Sequence, residues 1–216
     1  LVYCSVTGFG QTGPRAAEPG YDFIVQGIGG LMSITGERDD LPGGGPQKVG
    51  VAFSDLMTGL YSTVAIQAAL LSREKTGVGQ HIDMALLDVQ VATLCNQSQN
   101  YLASGKPPGR YGNAHANIVP YQVFRASDQD FIIACGNDSQ FVSLCDAICL
   151  GHLPADPRFT RNADRVANRE AIIEILSGHF IEGRAQEWID RVHPRGVPVG
   201  AINSIAQALD EPQVKA

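Results

Sequence analysis

From Leu56 to about Lys75 the chain places apolar or small residues on every side of the first four helical turns. A helix without a polar face has to be buried, so the fold must lay protein against several sides of this segment. It ends in KTGVGQ, where Gly77 suits a left-handed C-cap. One acid, Asp55, stands at its head within Gly50–Ser72. Asp is a favoured N-cap residue, because its carboxylate accepts a hydrogen bond from a free amide of the first turn. A helix N-terminus also favours negative charge, and a poorly solvated carboxylate beside small residues such as Ser54 and Gly59 is a usable nucleophile toward an activated acyl group. The pattern alone leaves both readings open.

The rest of the chain supplies what such a helix needs. Leu1–Val6 reads as a strand running into the loop GFGQTGP, Gly8–Pro14. Phe23, Ile24, Ile28, Leu31 and Met32 recur at helical spacing and predict a helix over 21–34, with Gly29-Gly30 marking a weak point or a close approach. Asp39–Gly50 is a loop on composition. His81–Leu86 alternates as a strand does, and Asp88–Ala103 predicts another helix. Pro and Gly cluster over Ser104–Asn113, the best candidate for a boundary. Beyond it, Tyr121–Phe124 and Asp130–Cys135 predict a hairpin, and Gln140–Cys149 a helix. Asn168 is placed to cap Arg169–Phe180. Ala185–Val192 carries the sole tryptophan, Trp188, as a core anchor. Gly196–Ile202 reads as extended, and Ser204 as the cap of a last helix.

Bulk properties narrow the function classes. With 216 residues, 44% hydrophobic and 18% charged, the chain can bury the core of one large domain or two small ones. A net charge of −6 argues against a nucleic-acid partner and against an anionic membrane. The longest apolar run, Gly59–Leu71, is stopped by Arg73, Glu74 and Lys75 before it reaches a membrane span. Five scattered cysteines do not form a disulfide framework, and a reducing compartment fits, the cytoplasm or, in a eukaryote, the mitochondrial matrix. LVYCSV opens directly as a strand and DEPQVKA closely follows a helical pattern, which leads us to expect an internal portion of a longer chain.

Three other features invite chemistry. Gly43-Gly44-Gly45 lacks the Lys-Ser/Thr pair of a phosphate loop and reads as a surface loop, and GFGQTGP lacks dinucleotide spacing but follows a strand, where α/β sheets bind ligands. Cys145, Cys149 and His152 are spaced C-x3-C-x2-H, but Cys145 and Cys149 fall on one apolar helix face and read as core, with no metal expected. YGNAHANIVPY, Tyr111–Tyr121, combines Gly112, Asn113, His115 and Asn117, either to face a ligand or to build turns.

Taken together, VYCSVTGFGQTGP (Val2–Pro14), PGYD (Pro19–Asp22), the segment around Asp55, REKTGVGQHIDMAL (Arg73–Leu86), GNAHANIVPY (Gly112–Tyr121) and ACGNDSQF (Ala134–Phe141) resemble the family III CoA-transferases, especially their dicarboxylate branch. The resemblance implies an α/β fold: part of a Rossmann-like large domain over 1–90, a linker over 91–112, a small α+β domain over 113–207 and the start of a return linker over 208–216. It further implies an interlocked-ring homodimer. By the same resemblance Asp55 is the nucleophile, Pro19, Gly20 and Tyr21 contact CoA, and Gly112 and Asn113 match a glycine-rich loop over the active site. Some members carry a basic residue at the Pro19 position. The expected substrates are an acyl-CoA thioester and a carboxylic acid acceptor, with no further cofactor.

Two rivals accompany that reading. The α-methylacyl-CoA racemase branch needs an acid/base pair and has a histidine at the Tyr21 position, whereas a phenol with an unperturbed pKa of about 10 is a poor base. A non-catalytic CoA-binding protein on the same fold is disfavoured by the retained Asp55. Arg110 is a candidate clamp for a dicarboxylate tail, or else a solvated linker charge.

Overall fold

Two short strands, β1 (Tyr3–Thr7) and β2 (His81–Ala85), pair in parallel with Tyr3 opposite His81 and Thr7 opposite Ala85. Parallel neighbours require a crossover, and here it carries three helices: α1 (Asp22–Ile28), α2 (Leu31–Ile34) and α3 (Phe53–Thr76). After β2 come α4 (Leu86–Ala92) and α5 (Cys95–Ser104). The computed structural model describes residues 1–216, which divide into two compact units, Leu1–Gly112 and Asn113–Ala216. The architecture is mixed α/β.

In the first unit α3 packs against α1, α4 and both strands. The helix predicted over 21–34 breaks where the sequence flagged it. Gly30 adopts φ 87°, and a Cβ at Gly29 would lie 2.5 Å from the Gln90 side chain, so the close approach is to α4. The helix predicted over 88–103 is likewise two helices, with Cys95 at φ 47° after the break. Helix α3 ends at Gly77, φ 74°, whose amide bonds the Arg73 carbonyl at 2.7 Å.

The expectation that α3 is buried on all sides is overturned. Its buried residues are Ser54, Thr58, Ser62 and Ala69, while Leu60 and Val64 are 61% and 67% exposed. Small side chains allow the close approach of α4 and the sheet, so that face is the one covered. The apolar pattern called for burial without specifying what provides it.

The second unit has a richer core. Strands β3 (Tyr121–Arg125), β4 (Asp130–Ala134) and β5 (Val199–Ala201) form an antiparallel sheet in that order. Helices α6 (Asp138–Ala147), α7 (Asn162–Ala167), α8 (Arg169–Phe180) and α9 (Ala185–Val192) accompany it. Phe180 makes edge contacts with Phe124, Phe131 and Trp188, with ring centroids 5.0–5.5 Å apart. The Trp188 indole donates to the Phe180 carbonyl at 2.9 Å. Cys135 and Cys145 lie in this core, and burial pushes their thiols up to about 11 and about 12, which leaves them unreactive at neutral pH. Cys149 is exposed.

Asn137 caps α6 by accepting from the Gln140 amide, and Ser204 caps α10 (Ile205–Asp210) by accepting from the Gln207 amide; α11 (Pro212–Lys215) follows. Asn168 precedes α8 but its side chain makes no capping bond. Its amide instead donates backward to the Asp164 carbonyl at 2.9 Å, closing α7. No helix of the chain is long and apolar enough to cross a membrane.

Candidate active site

The site is assembled at the carboxyl end of β1, and two glycines fix its geometry. A Cβ on Gly8 would sit 2.5 Å from the Gly20 Cα, so the loop after β1 and the Pro19–Tyr21 segment pass backbone to backbone. The Leu87 amide donates to the Gly8 carbonyl at 3.1 Å, tying the same loop to α4. Gly8→Ala therefore forces two main chains apart. We expect a loss of roughly 2 kcal/mol, in the range of overpacked sites, measured by urea unfolding against a Gly13→Ala control. That control has no neighbour within 4 Å of its Cβ, although its own φ of 92° adds strain.

Tyr21 is exposed and Asp22 begins α1. Asp22 Oδ1 accepts from the Ser54 amide at 2.8 Å, and Oδ2 from Gln26 Nε2 at 2.8 Å. This corrects the capping reading of Asp55. The N-cap of α3 is Ala52, which has no side-chain oxygen, and Asp55 is the third helical residue. The first-turn amide is satisfied from outside the helix, by a carboxylate 32 residues earlier in the chain. Asp55 itself is exposed and its side chain accepts no hydrogen bond.

Behind Asp55 lies a buried polar network. Ser54 Oγ donates to Gln90 Oε1 at 2.7 Å, and Gln90 Nε2 donates to Thr93 Oγ1 at 3.1 Å. Gln26 Oε1 accepts from the Val49 amide at 2.9 Å, holding the strand-like entry to α3. Thr58 Oγ1 donates to the Ser54 carbonyl at 2.6 Å. Ser54, Gln26 and Gln90 are wholly buried. In front of Asp55 is an open hollow of about 640 Å³, lined by Ala52, Phe53, Leu56, Met57 and Leu60, in which Asp55 is the one ionisable group. The arrangement offers an unpaired carboxylate on a rigidly held helix terminus beside an apolar surface.

The remaining candidates are dispersed. Gly112 adopts φ 57°, and a Cβ there would meet the Glu37 carboxylate at 2.6 Å. Asn113 opens the second unit and is exposed. Arg110 is neither a free clamp nor a solvated charge: it pairs with Asp39 and donates to the carbonyls of Glu37 and Ser33, with a tenth of its side chain exposed. In the stretch 111–121, the His115 ring accepts from the Asn117 amide, and Arg169 donates to the carbonyls of His115 and Ala116, which is turn-building chemistry. Beside the Pro19 segment, Arg15 lies over the Phe9 ring at 4.1 Å and pairs with Glu18 at 2.6 Å.

Sequence reasoning missed Asp22, Gln26, Ser54 and Gln90 as a unit. The available signal was two glutamines inside apolar helical runs, Gln26 after Val25 and Gln90 between Val89 and Val91, where a buried amide requires partners.

The chain is similar over its whole length to known proteins. Over 216 residues the chain is 50% identical to the succinate–glutarate CoA-transferase of Agrobacterium fabrum, covering all of this chain and 53% of that protein. It is 42% identical over 214 residues to the succinyl-CoA:glutarate CoA-transferase of Homo sapiens, covering 99% of this chain and 48% of the other. A crystal structure of a CAIB/BAIF family protein from Brucella suis superimposes with a TM-score of 0.80 at 52% identity, over all of this chain and 56% of that one. The chain thus spans about half the length of the curated relatives it matches. The profile of CoA-transferase family III matches residues 1–216 throughout, and the chain belongs to that family.

Proposed function

We propose that the protein containing this chain moves CoA from an acyl-CoA thioester to a carboxylic acid, with Asp55 as the covalent nucleophile. The observation that carries the reading is the state of Asp55: on the first turn of α3, bonded to nothing, facing an apolar hollow, while Asp22 does the capping. A carboxylate with no structural task, held by a buried network, is available for chemistry.

The exchange conserves its activated bond. Asp55 attacks the thioester carbonyl, the C–S bond breaks, and CoA leaves as thiolate from a mixed anhydride. The thiolate then attacks the aspartyl carbonyl and expels the donor acid as carboxylate, leaving an aspartyl-CoA thioester. An acceptor carboxylate attacks that thioester and releases the thiolate again, which takes the acyl group from the second anhydride and regenerates Asp55. Each acyl transfer replaces one activated bond by another, so no further cofactor is required. Pro19, Gly20 and Tyr21 contact CoA: Tyr21 adjoins Asp22, whose carboxylate bonds the residue preceding Asp55. In the same reading Gly112 and Asn113 match the family's glycine-rich loop, and Gly112 packs here against Glu37. The relatives named for succinate and glutarate support a dicarboxylic acceptor. A Rossmann-like large domain in a cytoplasmic or matrix homodimer is part of the same reading.

The test is mass spectrometry of the full-length protein after incubation with succinyl-CoA. A CoA-sized adduct is expected, converted by hydroxylamine to a modification at Asp55. Turnover with modification mapped to another residue would refute the assignment.

A further inference from the structure

We propose that Gln90 is a positioning residue for Asp55, acting through Ser54; the inference rests on the role of Asp55 proposed above. Gln90 is wholly buried on α4 and joins three elements. Its Oε1 accepts the Ser54 hydroxyl at 2.7 Å, its Nε2 donates to Thr93 at 3.1 Å, and its side chain fills the space that a side chain at Gly29 would otherwise occupy. Ser54 is the residue before Asp55 on the first turn of α3, and its own amide is held by Asp22. The first turn is thus fixed at two points of one residue, the main chain by α1 and the side chain by α4. Helix ends fray and lose definition first. A nucleophile on a first turn needs such an external tether, because a displacement of about 1 Å at the reacting atom costs on the order of a hundredfold in rate.

Nothing about Gln90 points it toward a substrate. Both polar atoms of its amide are engaged inside the protein, and it is one residue from the apolar core position Val89. Its effect on the reaction therefore has to pass through Ser54. This distinguishes it from a CoA contact, whose loss would raise KM, and from a general core residue, whose loss would lower stability alone.

The experiment compares Gln90→Met, Ser54→Ala and the double variant in the full-length protein, with Gln90→Glu as the conservative replacement that keeps an acceptor oxygen toward Ser54. We expect kcat to fall about tenfold or more in each single variant, with KM for acyl-CoA within about twofold. The double variant should be no slower than the worse single one, because both remove the same hydrogen bond. Gln90→Glu should recover kcat relative to Gln90→Met. Leu176→Ala, a truncation in the core of the second unit, should lower the melting temperature while the folded enzyme keeps its kcat. Additive losses, a rise in KM with unchanged kcat, or normal kcat in folded Ser54→Ala would each overturn the proposal while leaving Asp55 untouched. If Asp55→Ala is itself fully active, the catalytic reading fails first.

Discussion

On the mechanism proposed above, replacing Asp55 by alanine in the full-length protein should abolish CoA transfer, with kcat reduced by at least about a thousandfold, since loss of a covalent nucleophile leaves only binding and polarisation. The same variant should be as stable as the parent to within about 0.5 kcal/mol, as surface substitutions away from bonded features are. That second half follows from the geometry. A capping aspartate would take about 1 kcal/mol of stability with it, but here the cap is Asp22 and the Asp55 carboxylate bonds to nothing. Binding of free CoA, measured calorimetrically, should also persist. A large loss of stability with residual transfer would show that the carboxylate is structural after all.

The second large effect lies in the other unit. Arg165 is wholly buried and donates to the carbonyls of Val119 at 2.7 Å, Phe159 at 2.9 Å and Thr160 at 3.4 Å, and to Asp138 at 2.7 Å. Its guanidinium also lies 4.3 Å from the Phe141 ring centroid. One side chain therefore satisfies carbonyls of two loops that have no strand to pair with. Arg165→Met keeps much of the volume but strands those carbonyls, and a loss of about 3–5 kcal/mol is expected. The ion pair itself is a minor part. Asp138 is about half exposed, so Asp138→Asn should cost less than about 1 kcal/mol. Urea unfolding followed at Trp188, which sits in the same core, distinguishes the two variants.

Much of the local structure was legible. Gly77 stopped α3 where a left-handed residue was needed, Ser204 capped α10, and the hairpin strands β3 and β4 followed their alternation, because each depends on a few neighbouring residues. What failed depended on distance. Nothing near Asp55 announces that Asp22 takes over its capping role, nor that Ser54 reaches Gln90, 36 residues away. The break in the helix predicted over 88–103 escaped notice because neither Thr93 nor Leu94 is a strong helix breaker. The burial expected of α3 on every side holds on one face only: within this chain Ser54, Thr58, Ser62 and Ala69 are covered, while Leu56, Leu60 and Leu71 are exposed. Arg110 looked like linker charge because its partners, Asp39 and the carbonyls of Ser33 and Glu37, are some seventy residues away.

The backbone contact between Gly8 and Gly20 has an evolutionary consequence. In most packed pairs, a gain of volume on one side can be offset by a smaller residue on the other, and the two positions drift together. Here neither residue has a side chain to give up, so no single compensating change exists at the partner. The two positions can change only if the loop after β1 and the segment leading to α1 move apart, and the Asp22–Ser54 bond at the base of the Asp55 helix resists that movement. Sequence change in such a scaffold is therefore freer at the residues that line the hollow than along the seam beneath it.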